Sequence, residues 1–231
     1  MQNMKLKNRK KGLLITVDGP GGVGKSTAAK ALAKKYKVPY LTSGLCYRWA
    51  AKILIEKKPK NQISFIKKQF SKLNYNQLKK LNLHTPEISS FSAIIAKKLS
   101  LRQIVKRWQK DFVYKKNNGN AVVEGRDSHL IFRKAMVMFY LKANLATKAK
   151  RRYLELKKKN IKTTLKQVKV ELLARDSSDI QRKHSPLILS RNHVVIATDI
   201  LNKSKMIKKM SKEIDKRLLL RDGKFRKTKS R

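Results

Sequence analysis

The sequence predicts an α/β fold in three layers, a mainly parallel five-stranded sheet held between helices. Three observations lead there. Short, wholly apolar runs rich in β-branched residues recur along the chain, and they are continuous rather than alternating, as strands buried on both faces are. The first run passes directly into a cluster of glycines and then into a helical stretch. The later runs are separated by segments long enough to be crossover helices.

Residues 13–17, Leu-Leu-Ile-Thr-Val, read as the first buried strand. Four of the nine glycines then crowd into positions 19–24. A helix follows over 25–36, where Ala28, Ala29, Ala31, Leu32 and Ala33 supply helix propensity. Further strands are expected at 121–123, 137–141 and 194–197, and helices at 87–99 and 101–115. Residues 61–82 are polar, lysine-rich and weakly periodic, so they read as an insertion outside the core. The stretches 145–159 and 165–182 read as a charged helical pair that stands away from the body. Residues 220–231 form a basic, frayed tail. At 231 residues the chain suits one domain, 1–231, carrying small insertions.

Lys and Arg number 59 against 14 Asp and Glu, a formal net charge of +45. Such a field attracts polyanions, RNA included. The lysines are spread along the whole chain, as in 157–159, and no basic-aromatic module interrupts them, so nonspecific RNA contact is expected as a side effect of composition. The single cysteine, Cys46, excludes an internal disulfide and fits a reducing cytoplasm. Residues 1–12 are basic, and the apolar run after them is too short for a signal-peptide core or a membrane span. His84, His129, His184 and His193 lack metal-ligand spacing and read as surface or loop residues. Trp49 and Trp108 read as packing residues.

The chemistry begins at Gly19-x-x-x-x-Gly24-Lys25-Ser26, a complete P-loop pattern in its required strand–loop–helix setting. Gly19, Gly21, Gly22, Val23 and Gly24 would let main-chain amides approach phosphates, and the helix N-terminus would add its dipole. Lys25 would bridge the β- and γ-phosphates of ATP, Ser26 would ligate Mg²⁺, and Thr27 would neighbour the α-phosphate. Neither a guanine-reading motif nor a strand ending in paired acids follows, which leaves small-molecule kinases. These need a second anion site, for which arginine's fork is suited.

Four motifs then resemble the bacterial cytidylate kinase family over nearly the whole chain. They are Ile15-Thr16-Val17-Asp18-Gly19-Pro20 running through Gly24-Lys25-Ser26-Thr27, Ser43-Gly44-x-x-Tyr47-Arg48, Glu124-Gly125-Arg126-Asp127, and Arg175-Asp176-x-x-Asp179-x-x-Arg182. The resemblance implies phosphoryl transfer from ATP to CMP or dCMP, with Lys25, Arg126 and Arg182 catalytic. It implies that Ser43, Tyr47, Arg48, Arg126 and Arg182 hold the acceptor phosphate. Arg102 and Asp127 would face the cytosine, and Arg175 and Asp179 the ribose. It also implies a monomer with an acceptor-binding region at about 61–120 and a helical lid at about 145–182, where Arg151 and Arg152 are candidates to cover the phosphates. The spacing of Arg175, Asp179 and Arg182 puts all three on one face of a helix. The chain departs from the family pattern at Thr42, where Asp is usual, at His84 in place of an arginine, and at residues 128–132, which lack the usual glycine and proline. A serine expected near the base falls at Ser92 or is replaced by Ala93. Another acceptor, such as UMP or a small metabolite, and a nonenzymatic nucleotide-gated RNA-binding protein are the alternative readings.

Overall fold

The computed structural model describes residues 12–158 and 160–221. Residues 1–11 and most of the basic tail therefore lie outside the described residues. Five parallel strands form one sheet in the order β2-β3-β1-β4-β5. They are β1 (Leu14–Asp18), β2 (Tyr40–Thr42), β3 (Ala121–Glu124), β4 (Val137–Lys142) and β5 (His193–Ala197). Four correspond to the apolar runs. β2 is three residues long and half-buried at both ends, too short and too mixed to leave a hydrophobic signal.

Helix α1 (Lys25–Tyr36) returns the chain to β2, and α10 (Lys203–Arg221) packs beside α1 on the same face of the sheet. Ile15, Val17, Leu32, Phe139 and Ile214 are buried in that layer. The opposite face carries α2 (Ser43–Lys57), α3 (Gln62–Ser71), α4 (Tyr75–Leu78), α5 (Pro86–Ile95) and α6 (Leu99–Lys110). The expected helix over 101–115 is α6 continued by a π-turn, Asp111–Lys115.

Residues 61–82 differ from the expectation of a region outside the core. They fold into α3 and α4, and Ile66, Phe70, Tyr75 and Leu78 are buried in the same cluster as Leu41 and Val123. Phe70 meets Trp49 edge-on at 5.0 Å and Trp108 at 6.1 Å. The ten-residue α3 buries only two large side chains, Ile66 and Phe70, a stripe too sparse to stand out among its polar neighbours.

Short α7 (Ser128–Ile131) follows β3, and α8 (Leu145–Lys158) and α9 (Leu165–Gln181) pair around a small apolar cluster of Ala149, Leu156, Val168 and Leu172. Thr164 opens α9 with a reciprocal capping box to Gln167. Because β1 has β3 on one side and β4 on the other, the chain changes direction across β1. A crevice at the carboxyl ends of the strands follows from that switch.

Candidate active site

Helix α1 starts at Gly24, whose φ of 88° is left-handed. A Cβ there would meet nothing within 4 Å, so the position demands the backbone angle rather than space. The turn aims the first amides of α1 into a cavity of about 930 Å³, where N–H donors and the helix dipole favour phosphate. Gly21, Gly22, Gly24, Lys25, Ser26 and Thr27 line it. Gly19 and Val23 do not. They are buried behind the loop, where the Val23 carbonyl accepts from Thr198 Oγ1 at 3.0 Å.

Lys25 is buried and donates to the Pro20 carbonyl at 2.5 Å. Burial and the nearby Arg126 guanidinium hold its ammonium well below the ordinary lysine value. Ser26 Oγ donates to Glu124 Oε1 at 2.9 Å, and Glu124 Oε2 is buried without a hydrogen-bond partner. In the sequence Glu124 stands out only as part of the Glu124-Gly125-Arg126-Asp127 motif. Its signal is a single carboxylate, not a pair, that ends a buried strand next to the phosphate-loop strand.

Opposite the loop, α2 begins at Ser43 immediately after β2 and carries Tyr47 and Arg48 to the cavity. Arg48 Nη1 lies 2.7 Å from His84 Nδ1. A guanidinium only donates, so His84 accepts through Nδ1 in this arrangement. Arg126 leaves the end of β3 and donates through Nε to Asp179 Oδ2 at 2.8 Å. Asp179 Oδ1 accepts from Arg182 at 3.3 Å, and Arg182 Nη2 is 3.7 Å from Asp127 Oδ1. Asp127 Oδ2 accepts from Arg102 at 2.5 Å.

One expectation is corrected. Asp127 lines the cavity, but Arg102 is 1% exposed and stands behind it, also bound to the Ala96 carbonyl at 2.8 Å. Helix α9 ends at Gln181 with Arg182 as its C-cap, and Arg175, Asp179 and Arg182 all line the cavity, as their spacing predicts. The ψ of 135° at Arg182 turns the following chain out of the helix, and its Nε donates to the Ser185 carbonyl at 2.6 Å. Arg151 and Arg152 both reach the cavity wall from α8. Arg151 binds Thr198 Oγ1 at 2.9 Å and its carbonyl at 2.6 Å.

The cations are crowded. Arg48 is lowered from its ordinary value by burial and then by Arg152 and Arg126. Arg175 is pushed down to about 10 by desolvation and by Arg126 and Arg48. Burial pushes Asp179 up, but Arg126, Arg182 and Arg175 outweigh it and hold the carboxyl below its usual range. Repulsion of this kind is relieved by a bound polyanion.

His129 and His193 are buried, contrary to the expected surface or loop placement. Both face Asp18. Its carboxylate accepts from the Ser128 amide at 2.9 Å, the His129 amide at 2.9 Å and His129 Nδ1 at 3.1 Å, with His193 Nε2 4.0 Å away. These three could be arranged around a metal. However, His193 Nδ1 accepts from the Ser190 amide at 2.9 Å, so a neutral ring keeps its proton on Nε2, facing the carboxylate. Asp18 is thus hydrogen-bonded by the two amides and His129, with His193 Nε2 beyond hydrogen-bond distance.

A parallel sheet with its glycine loop at the switch point, facing an arginine-lined cleft across one cavity, defines the class of P-loop kinases. TT1252 from Thermus thermophilus shares the fold: its crystal structure is 17% identical with a TM-score of 0.50, covering 90% of this chain and 99% of that one. The cytidylate kinase family model matches residues 15–216. A cytidylate kinase from Bartonella quintana is 34% identical over 197 residues, 83% of this chain and 89% of that protein. Another, from Thermosipho melanesiensis, is 32% identical over 216 residues, 89% of this chain and 98% of that protein. The chain belongs to the cytidylate kinase family. Among the described residues no helix is long and apolar enough to cross a membrane.

Proposed function

We infer that the protein transfers the γ-phosphoryl group of ATP to CMP or dCMP, yielding ADP and CDP or dCDP. The observation that carries this reading is the crowding of Lys25, Arg48, Arg126, Arg175 and Arg182 around one cavity, opposite a complete phosphate loop. One nucleotide phosphate chain alone does not require both walls.

On this reading the loop amides and Lys25 hold the donor phosphates, and Ser43, Tyr47, Arg48, Arg126 and Arg182 hold the acceptor phosphate. Asp127 meets the base, with Arg102 fixing its orientation from behind. Arg175 and Asp179 meet the ribose. Helices α8 and α9 are the lid, and residues 61–120 the acceptor-binding region. The acceptor phosphate has its second pKa near ~6 and is already anionic at neutral pH, so no general base is needed. The protein's contribution is to align the acceptor oxygen with the γ-phosphorus, to neutralise charge and to exclude water.

Ser26 Oγ and the unpartnered Glu124 Oε2 are hard oxygen donors that fit Mg²⁺. Bound there, the ion would offset charge on the β- and γ-phosphate oxygens. The test is coupled ADP release across CMP, dCMP, UMP, AMP and GMP with magnesium and ATP. Selective stimulation by CMP and dCMP is expected. ADP release that no cytidine monophosphate stimulates would sink the reading.

A further inference from the structure

Helices α8 and α9 are fastened to the phosphate loop by a buried ion pair to which none of the roles above has been given. Asp176 accepts the Gly21 amide at 2.8 Å through Oδ1 and Lys148 Nζ at 2.7 Å through Oδ2. Both side chains are about nine-tenths buried, at 9% and 10% exposure. The contact is close because the loop has no side chains there. A Cβ on Gly22 would lie 2.8 Å from the Lys148 carbonyl oxygen, and one on Gly21 would lie 2.8 Å from Leu172 Cδ2. Asp176 also acts on Lys25, favouring its charged form. A carboxylate buried this near a phosphate site repels the ligand unless it is neutralised, and Lys148 is the group in contact with it.

We propose that Lys148 is a positioning residue of the donor site, acting through the charge of Asp176. An oxygen of residue 176 holds the Gly21 amide, and Lys148 cancels the carboxylate charge that ATP would otherwise meet. This rests on the donor reading of the loop.

The test is a double-mutant cycle read by KM for ATP, KM for CMP, and the dissociation constant of a fluorescent ATP analogue, beside a thermal melt of each variant. Lys148→Met leaves a buried, uncompensated carboxylate, so KM for ATP and the analogue's dissociation constant should rise about tenfold or more while KM for CMP stays within about twofold. Lys148→Arg should restore the wild-type values. Asp176→Asn keeps an acceptor for the Gly21 amide and should not raise KM for ATP. The double variant should return to within about threefold of wild type, well short of additivity.

A fall in melting temperature with unchanged ATP parameters in Lys148→Met would mean a merely structural pair and overturn the proposal. Additive losses in the double variant would do the same. Should Lys148→Met fail to fold, weakened analogue binding in Asp176→Asn or in the double variant would still overturn it. Wild-type protein that forms no CDP would count against the function proposed above, while the analogue-binding pattern would still decide this inference.

Discussion

Lys25 is buried, pressed against a carbonyl and repelled by Arg126, so in the absence of a ligand it gains little from its charge. Lys25→Ala should therefore lower kcat by about a hundredfold or more and leave the melting temperature unchanged or higher. A large loss of stability would contradict the assignment. Arg126→Ala should raise KM for CMP about tenfold or more, in keeping with a charge-assisted contact to phosphate, while KM for ATP changes little. Initial rates with each substrate varied separately would show it. Asp18 makes a different kind of contribution. Burial pushes its carboxyl up, but His129, His193 and two amides overcome this and hold it well below the ordinary value of 3.8. A group depressed on folding stabilises above its unfolded pKa, and that stabilisation is lost as pH falls through the folded one. Asp18→Asn should cost about 1–3 kcal/mol at pH 7, because an amide nitrogen turns toward the His129 donors. The gap to wild type should narrow below about pH 4, in denaturant melts across pH.

At the scale of elements, what folded as expected had strong local signals. Strands β1, β3, β4 and β5 are continuous apolar runs, and the loop before α1 has few conformations open to it once Gly24 must be left-handed. What escaped was short or mixed. β2 gains its place by pairing with β3 along Tyr40–Thr42, a tertiary hydrogen-bond ladder rather than a propensity. The lysine-rich α3 and α4 are fixed by the aromatic group of Trp49, Phe70, Tyr75 and Trp108. Phe70→Ala should cost about 3–5 kcal/mol by leaving a cavity between two indoles. A cost near zero by chemical denaturation would mean that this region is dispensable to the core.

Over the whole molecule, 14 acidic residues face 59 basic ones. Five of the acids, Asp18, Glu124, Asp127, Asp176 and Asp179, gather at the carboxyl end of the sheet, where each meets a hydroxyl, an amide or a cation of the cleft. The remaining positive surface should retain RNA nonspecifically at low salt and release it steeply as salt rises. Filter binding over a salt series would show this, and salt-insensitive retention would point to a built RNA site instead. The phosphate loop, the order of the four motifs and the layered parallel fold were legible in the sequence alone, because the loop is shaped by neighbouring residues and each buried strand shows as a local apolar run. Only the tertiary structure decided that Arg102 stands behind Asp127, that two distant histidines flank Asp18, and that Asp176 reaches the Gly21 amide. Those partners are far apart in the chain: the packing of α6 and α9 against the strand ends brings Arg102 and Asp176 to their hydrogen-bond partners, and β5 sets His193 4.0 Å from Asp18.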